Sequence, residues 1–248
     1  MVALPMPPES LRVAVGPFCD PGLFARSGEE MAAEIISLCG LAPDARVLDL
    51  GCGCGRLSRA LAGYLGSHGR YHGIDVAPEL IDWCKWRLEP VLPSFHFSLA
   101  DVHVPDFNPH GVIAATEYRF PFAADTFDLA IVSSLFTHML PNEIAHYMAE
   151  LSRVLKPRGR CFMSVLLFDE GAEVAVANGA TIFDFRHPIG PCLTFDRDRP
   201  REGVACRDAW FFQLIDSQGL HIDVVKPGNW RCVRSYEIAQ DYVVAHKL

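Results

Sequence analysis

The sequence predicts an α/β fold: a doubly wound, seven-stranded, mostly parallel sheet with an antiparallel C-terminal strand and helices on both faces. Three observations carry this. Apolar runs of strand length alternate with stretches of helical period between residues 46 and 168. The first of these runs empties into a glycine turn and then a helix. The chain has 248 residues, 50% of them hydrophobic, which is enough for a sizeable core.

The elements follow in order. Residues 1–22 are rich in proline and glycine and are expected to lie along the surface. Residues 23–40 show apolar spacing near 3.6 and end at Gly40, which predicts a helix with a glycine C-cap. RVLDL (46–50) reads as a buried parallel strand and RLSRALAGYLG (56–66) as a helix. RYHGIDV (70–76), SFHFSLADV (94–102), FDLAIVSS (127–134) and RCFMSVLLF (160–168) supply four more strands. PELIDWCKWRLEP (78–90) and NEIAHYMAELSRVLK (142–156) are the helices between them, the second stopped by Pro157 and Gly159. Right-handed crossovers then bring the strands' carboxyl ends to one edge, where ligands bind.

The last third is different. Residues 169–206 carry few regular signals and many Gly, Pro, Phe and Asp residues; so long an irregular stretch reads as a lid over a substrate. ACRDAWFFQLIDSQGL (205–220) predicts a helix, and HIDVVKP (221–227) with QDYVVAHKL (240–248) an antiparallel pair at the sheet edge. The domain reading is a single domain over 1–248, with a 23–167 core, a 168–206 insertion and a 207–248 closing segment.

Charge and composition narrow the function. A net charge of -8 and the lack of basic runs argue against nucleic acid as a partner. Nine scattered cysteines without a CxxC pair argue against a zinc or redox centre, so no metal is expected. The proline-rich start is not a signal peptide, and no uncharged run approaches the ~20 apolar residues of a membrane span. A cytoplasmic protein without a membrane partner is the expectation. Nothing in the sequence sets its oligomeric state.

The central signal is VLDLGCGCGRLSRAL (47–61), a strand running through Asp49, Gly51, Cys52, Gly53 and Gly55 into a helix. Glycines there let a ligand lie against bare backbone, and the helix start is expected to offer unpaired N–H groups. A pyrophosphate site requires GxGxxG. Counting from Gly51 the sixth position is Arg56, and from Gly53 it is Ser58, so that fingerprint fails. Asp75, followed by Val76, ends the second strand 26 residues after Asp49, where an acid accepts ribose hydroxyls. Asp101, followed by Val102, ends the third.

VLDLGCGCG resembles motif I of the class I S-adenosylmethionine-dependent methyltransferases, which share a Rossmann-like sheet. Residues 118–167, with FPF, FD, FTHML and ELSRVLKP, look like the second half of the same fold. Arg158 stands where many relatives have glycine. GNWRC (228–232) and QDYVVAHK (240–247) resemble the ending of bacterial small-molecule members. The resemblance implies S-adenosyl-L-methionine as cofactor and S-adenosyl-L-homocysteine as product. It assigns Asp75 to the ribose and Asp101 to the adenine amino group, with the Val102 N–H reading a ring nitrogen. Ser133 would serve through its backbone, and Phe24 and Gly28 would close over the methionine end.

Methyl transfer needs a nucleophile held in line and, for many acceptors, a base. His138 is the first candidate base, because an imidazole titrates near neutrality. His187 in the presumed lid is the second. Phe183, Phe185, Trp210, Phe211, Phe212 and Trp230 are candidates for an apolar acceptor pocket, with core packing the competing reading. The expected function is methyl transfer to a small molecule at oxygen. A non-catalytic S-adenosylmethionine-binding module and, against the broken GxGxxG, an NAD-dependent oxidoreductase are the alternatives.

Overall fold

The computed structural model of the chain describes residues 4–232 and 240–248. The chain divides into two compact units, Met1–Tyr118 with Thr126–Ile131, and Arg119–Asp125 with Val132–Leu248. The main sheet has the seven strands expected, in the order β10 (Leu220–Lys226), β11 (Asp241–Lys247), β5 (Leu155–Val165), β4 (Phe127–Val132), β1 (Arg46–Leu50), β2 (Arg70–Asp75), β3 (Phe95–Leu99).

The first unit opens with a short helix α1 (Glu9–Val13) that the reading of 1–22 as a surface segment did not foresee, although most described residues of that segment do lie at the surface. Arg12 is the reason. It is 6% exposed, and its guanidinium donates to the carbonyls of Pro7, Phe18 and Cys19, folding the segment into a closed clasp. Met6, Leu11, Val15 and Phe18 then pack on Phe24, Cys54, Ala77 and Leu80. Residues 1–3 of that segment lie outside the described residues.

Helix α2 (Pro21–Cys39) starts where the Asp20 carboxylate caps the Leu23 N–H and ends at Gly40 in the left-handed region, φ 55°. β1 (Arg46–Leu50) leads through the glycine turn into α3 (Arg56–Leu61). β2 (Arg70–Asp75), α4 (Pro78–Arg87) and β3 (Phe95–Leu99) follow. β1 pairs β2 in parallel with Asp49 opposite Gly73, and β2 pairs β3 in parallel. β4 (Phe127–Val132) lies on the far side of β1 from β2. The chain direction of winding therefore reverses at β1, and the crevice at the carboxyl ends of β1 and β4 is where such sheets bind ligands.

In the second unit a 3-10 turn (Phe136–His138) precedes α5 (Pro141–Val154). Glu143 accepts from the Leu140 N–H at the start of α5. Arg153, near its end, donates to the Phe120 and Phe122 carbonyls and to Glu150, which accepts the Phe120 N–H. The FPF and ELSRVL segments that carried the resemblance are thus tied together for structural reasons. β5 begins at Leu155, five residues before the sequence placed it, and runs to Val165. The helix has stopped before Pro157 and Gly159 as expected; both lie within β5, and Arg158 takes a left-handed φ of 66° between them.

The insertion is more regular than its composition implied. β6 (Leu167–Phe168), α6 (Glu170–Ala177), β7 (His187–Ile189), β8 (Cys192–Thr194) and β9 (Val204–Arg207) are present, and the strands form a second sheet, β6-β9-β8-β7. Residues 205–207 belong to β9, so the predicted helix at 205–220 shortens to α7 (Asp208–Ser217). β10 (Leu220–Lys226) and β11 (Asp241–Lys247) pair antiparallel as expected, and β11 also runs antiparallel to β5. The 228–232 loop is anchored by Asp241, which is 0% exposed. Its carboxylate accepts from the N–H groups of Leu167 and Gly228, from Trp230 Nε1 and from the Arg231 guanidinium.

Candidate active site

In the first unit the glycine turn is held from three directions. Gly51, Gly53 and Gly55 all take positive φ (76°, 56° and 88°), a region that L side chains avoid. The Gly51 and Cys52 N–H groups donate to the Ile74 carbonyl, the Gly53 N–H to Asp75 Oδ2 at 2.8 Å, and the Gly55 N–H to the Cys52 carbonyl. Four amides of the turn are thus spent inside the protein. That disfavours a pyrophosphate at the turn, which needs such amides free.

Two carboxylates sit at this turn. Asp75 accepts from Gly53 on one oxygen and from the Ala77 N–H at 2.9 Å on the other. Burial pushes its pKa up, against the hydrogen bonds from Ala77, Gly53 and Val76. These three backbone donors leave some lone-pair capacity on the carboxylate for a further donor. Asp49 is 1% exposed. Its Oδ2 accepts the Tyr71 hydroxyl, while its Oδ1 has no partner. Burial raises the Asp49 pKa to about 6, opposed by the Tyr71 hydrogen bond and by Arg56, with Asp75 adding repulsion.

The remaining positions of this unit divide. Asp101 is exposed at the end of β3, and its carbonyl accepts from Val112 and Ile113. The Val102 N–H already donates to the Ala100 carbonyl at 2.7 Å, so the structure does not present it as a free donor. Cys52 fills the space a side chain at Gly73 would need, its Sγ 2.8 Å from that position. Val76 is half-buried beside Asp75. Phe24 is 1% exposed and packs edge-on to Phe18, and Gly28 lets α2 approach the Arg56 carbonyl. Both contacts are packing.

In the second unit Ser133 follows β4, and Ser134 takes φ 60°. The Ser134 N–H donates to Ser164 Oγ at 2.7 Å, and both hydroxyls donate to Gln240 Oε1. A non-glycine residue in that conformation is strained and persists where its surroundings hold it. His138 is exposed, with Nδ1 2.9 Å from the Arg201 carbonyl. A carbonyl only accepts, so Nδ1 is the donor, and in the neutral ring Nε2 is the nitrogen left with a lone pair. Arg201 is itself fixed by a two-pronged pair with Glu143, at 2.6 and 2.7 Å. His187 opens β7, exposed and opposite Thr194; the partner of His138 is Arg201 rather than His187.

The aromatic residues of the insertion resolve mostly into packing. Phe185 and Trp230 are fully buried and meet edge to face at 5.7 Å, and Phe183 stacks on Phe195. Phe211 packs on Phe136, while Trp210 and Phe212 are partly buried. Sequence reasoning missed Tyr71 and Arg201. The signal for Tyr71 was its place two residues before Gly73 on a strand, on the same face.

A methyltransferase-domain family profile matches residues 47–159. A 2-phytyl-1,4-naphtoquinone methyltransferase of Trichormus variabilis is 31% identical over 135 residues, 54% of this chain and 51% of that protein. A ubiquinone biosynthesis O-methyltransferase of Xanthomonas campestris pv. campestris is 32% identical over 178 residues, 72% of this chain and 66% of that protein. The chain spans about half the length of the first of these relatives. Among solved structures, a magnesium protoporphyrin IX methyltransferase from Synechocystis with bound SAH matches with a TM-score of 0.58 at 14% identity, covering 91% of this chain and 86% of that one, a likeness of fold. The chain thus carries a methyltransferase domain over residues 47–159 and is similar to S-adenosylmethionine-dependent methyltransferases.

The residues at the turn fit that family's cofactor. S-adenosylmethionine carries an ammonium and a sulfonium, and the turn offers carboxylates rather than free amides. The unpartnered Asp49 Oδ1 is a buried acceptor suited to a cationic donor. The glycine cradle is shallow because side chains are absent from it: a Cβ at Gly53 would stand 2.8 Å from Val15, and one at Gly55 2.5 Å from Leu88.

Proposed function

We propose that this protein transfers the methyl group of S-adenosylmethionine to a small-molecule acceptor at an oxygen nucleophile. One observation carries the reading: a spent-amide glycine turn flanked by Asp75 and by a buried Asp49 with one oxygen unpartnered. Support for the acceptor class comes from relatives named as a 2-phytyl-1,4-naphtoquinone methyltransferase and a ubiquinone biosynthesis O-methyltransferase, and from the acidic composition. We take residues 168–206 as the segment that shapes the acceptor site.

When bound, the cofactor supplies an electrophilic methyl group on a sulfonium. The protein's part is to hold, orient and deprotonate. Asp75 takes the ribose hydroxyls on its remaining lone pairs while fixing the Gly53 amide. Asp49 takes the ammonium. Asp101 faces the adenine edge. His138 Nε2 accepts the acceptor's proton, its ring fixed through Nδ1 by the Arg201 carbonyl and, behind it, Glu143.

The reading is tested by calorimetric titration with S-adenosylhomocysteine, with NADH as control, followed by methyl transfer to phenolic and hydroquinone acceptors with the product identified by mass. Micromolar binding of the first ligand alone and an O-methyl product are expected; binding of NADH instead would overturn it. Asp75→Ala is expected to weaken S-adenosylhomocysteine at least tenfold, since hydrogen bonds to a carboxylate contribute ~1.5–3 kcal/mol. An unchanged dissociation constant removes Asp75 from the site. His138→Ala is expected to lower the turnover rate by about 10²–10⁴-fold with binding of S-adenosylhomocysteine preserved. A loss under about threefold, in a folded variant, shows that His138 is not the base.

A further inference from the structure

Asp49 is an unusual ligand for a cation: a carboxylate almost wholly removed from water, with one oxygen committed and the other open. The committed oxygen belongs to Tyr71, and the register explains how Tyr71 reaches it. Asp49 pairs with Gly73 across β1 and β2, and Tyr71 lies two residues earlier on the same face. Such diagonal neighbours are within reach of an aromatic side chain. Glycine at 73 leaves no side chain directly opposite the carboxylate. The Tyr71 ring is fixed from its other side by stacking on Phe95, with centroids 4.9 Å apart, and by Phe97 at 5.8 Å. It is 1% exposed, so the hydroxyl has little freedom to leave its acceptor.

We propose that Tyr71 is a positioning residue for the cationic end of the cofactor: its hydroxyl holds one oxygen of Asp49 and keeps the group a carboxylate whose other oxygen accepts a charged N–H donor. This rests on the methyltransferase reading above and adds to it the control of charge at the site.

The charged and titratable groups facing Asp49 are Tyr71 from β2, Arg56 from the start of α3 and Asp75 from the end of β2. The thiols of Cys52 and Cys84 are also near; burial pushes both up, so they stay neutral. Burial and the adjacent carboxylate hold Tyr71 well above the ordinary phenol range, which keeps it a neutral donor. Against burial and Asp75, Tyr71 and Arg56 favour the ionised carboxyl, whose pKa stands at about 6. Removing a hydrogen bond to the charged form raises a carboxyl pKa. The loss of affinity in Tyr71→Phe therefore belongs to the acid side of the pH profile.

The experiment is calorimetric titration of the full chain with S-adenosylhomocysteine at several pH values between about 5.5 and 7.5, for the natural protein, Tyr71→Phe and Asp49→Asn. For Tyr71→Phe an affinity loss of about tenfold is expected near pH 5.5 and of less than about threefold near pH 7.5, because a bond of this kind is worth one to two pKa units. Phenylalanine keeps the stacking on Phe95, and a thermal melt verifies the fold. Asp49→Asn is expected to bind weakly with a flat profile. A Tyr71→Phe curve parallel to that of the natural protein, or one coincident with it, overturns the positioning role and leaves the methyltransferase reading standing. If the natural protein fails to bind at every pH, both fall.

Discussion

Gly53→Val is expected to abolish binding of S-adenosylhomocysteine, an affinity loss beyond about 100-fold, while Gly63→Ala changes it by less than about twofold. Three effects act together at position 53. The backbone sits at φ 56°, where an L residue pays roughly 1–2 kcal/mol. The new Cβ stands 2.8 Å from Val15 Cγ1, so the clasp must move before the branched side chain has room. The Gly53 amide also holds Asp75 in place, and any shift of the turn loosens that carboxylate. Nothing lies within 4 Å of a Cβ at Gly63, which makes it the matched control. Titration calorimetry beside a thermal melt decides the outcome. A folded Gly53→Val protein that keeps its affinity within threefold would place the cofactor elsewhere.

The second large effect concerns stability. Asp241→Ala is expected to lower the unfolding free energy by ~3–5 kcal/mol, because removing one partner of a buried ion pair leaves the groups around it without their acceptor. Arg231 loses contacts of 2.6 and 3.2 Å and keeps those to Asp169 and the Leu167 carbonyl, while the donors of Leu167, Gly228 and Trp230 lose a fully buried acceptor. Urea unfolding read by tryptophan fluorescence measures the shift. A loss below about 1 kcal/mol would show that the loop repacks around the missing carboxylate. The contact with the GNWRC segment gives that part of the resemblance a physical meaning: Trp230 and Arg231 are the donors that a buried aspartate on β11 requires.

Where the signals were local, the sequence reading matches the structure. β1, the glycine turn and the start of α3 are specified locally by an apolar run, three glycines and a helical period, although α3 ends at Leu61 rather than Gly66. Reading failed where structure depends on partners far along the chain. β7 and β8 have three residues each, too short for periodicity to register. Val204, Ala205 and Cys206 are buried because they form the middle of a small sheet, yet their apolar run merges with the helix that starts at Asp208. Pro157 and Gly159 marked the end of the helix, and α5 does stop at Val154, but both residues belong to β5, with Arg158 left-handed between them, ahead of the stretch that pairs with β11 from Arg160 on. The candidate site divides in the same way. The acids at the strand ends were legible from the alternation, whereas Tyr71 and Arg201 act through pairings that only the fold reveals.

The clasp built on Arg12 has a practical side. Of the nine cysteines, seven are buried, and only Cys19 and Cys232 are exposed. Cys19 lies within the clasp, and its own carbonyl is one of the three that Arg12 grips. The protein thus carries a natural attachment point for a spectroscopic label on the segment that leans against the glycine turn. With Cys232 changed to serine, a maleimide dye or nitroxide at Cys19 would report movement of that segment as ligand is titrated, with the buried thiols shielded from the reagent.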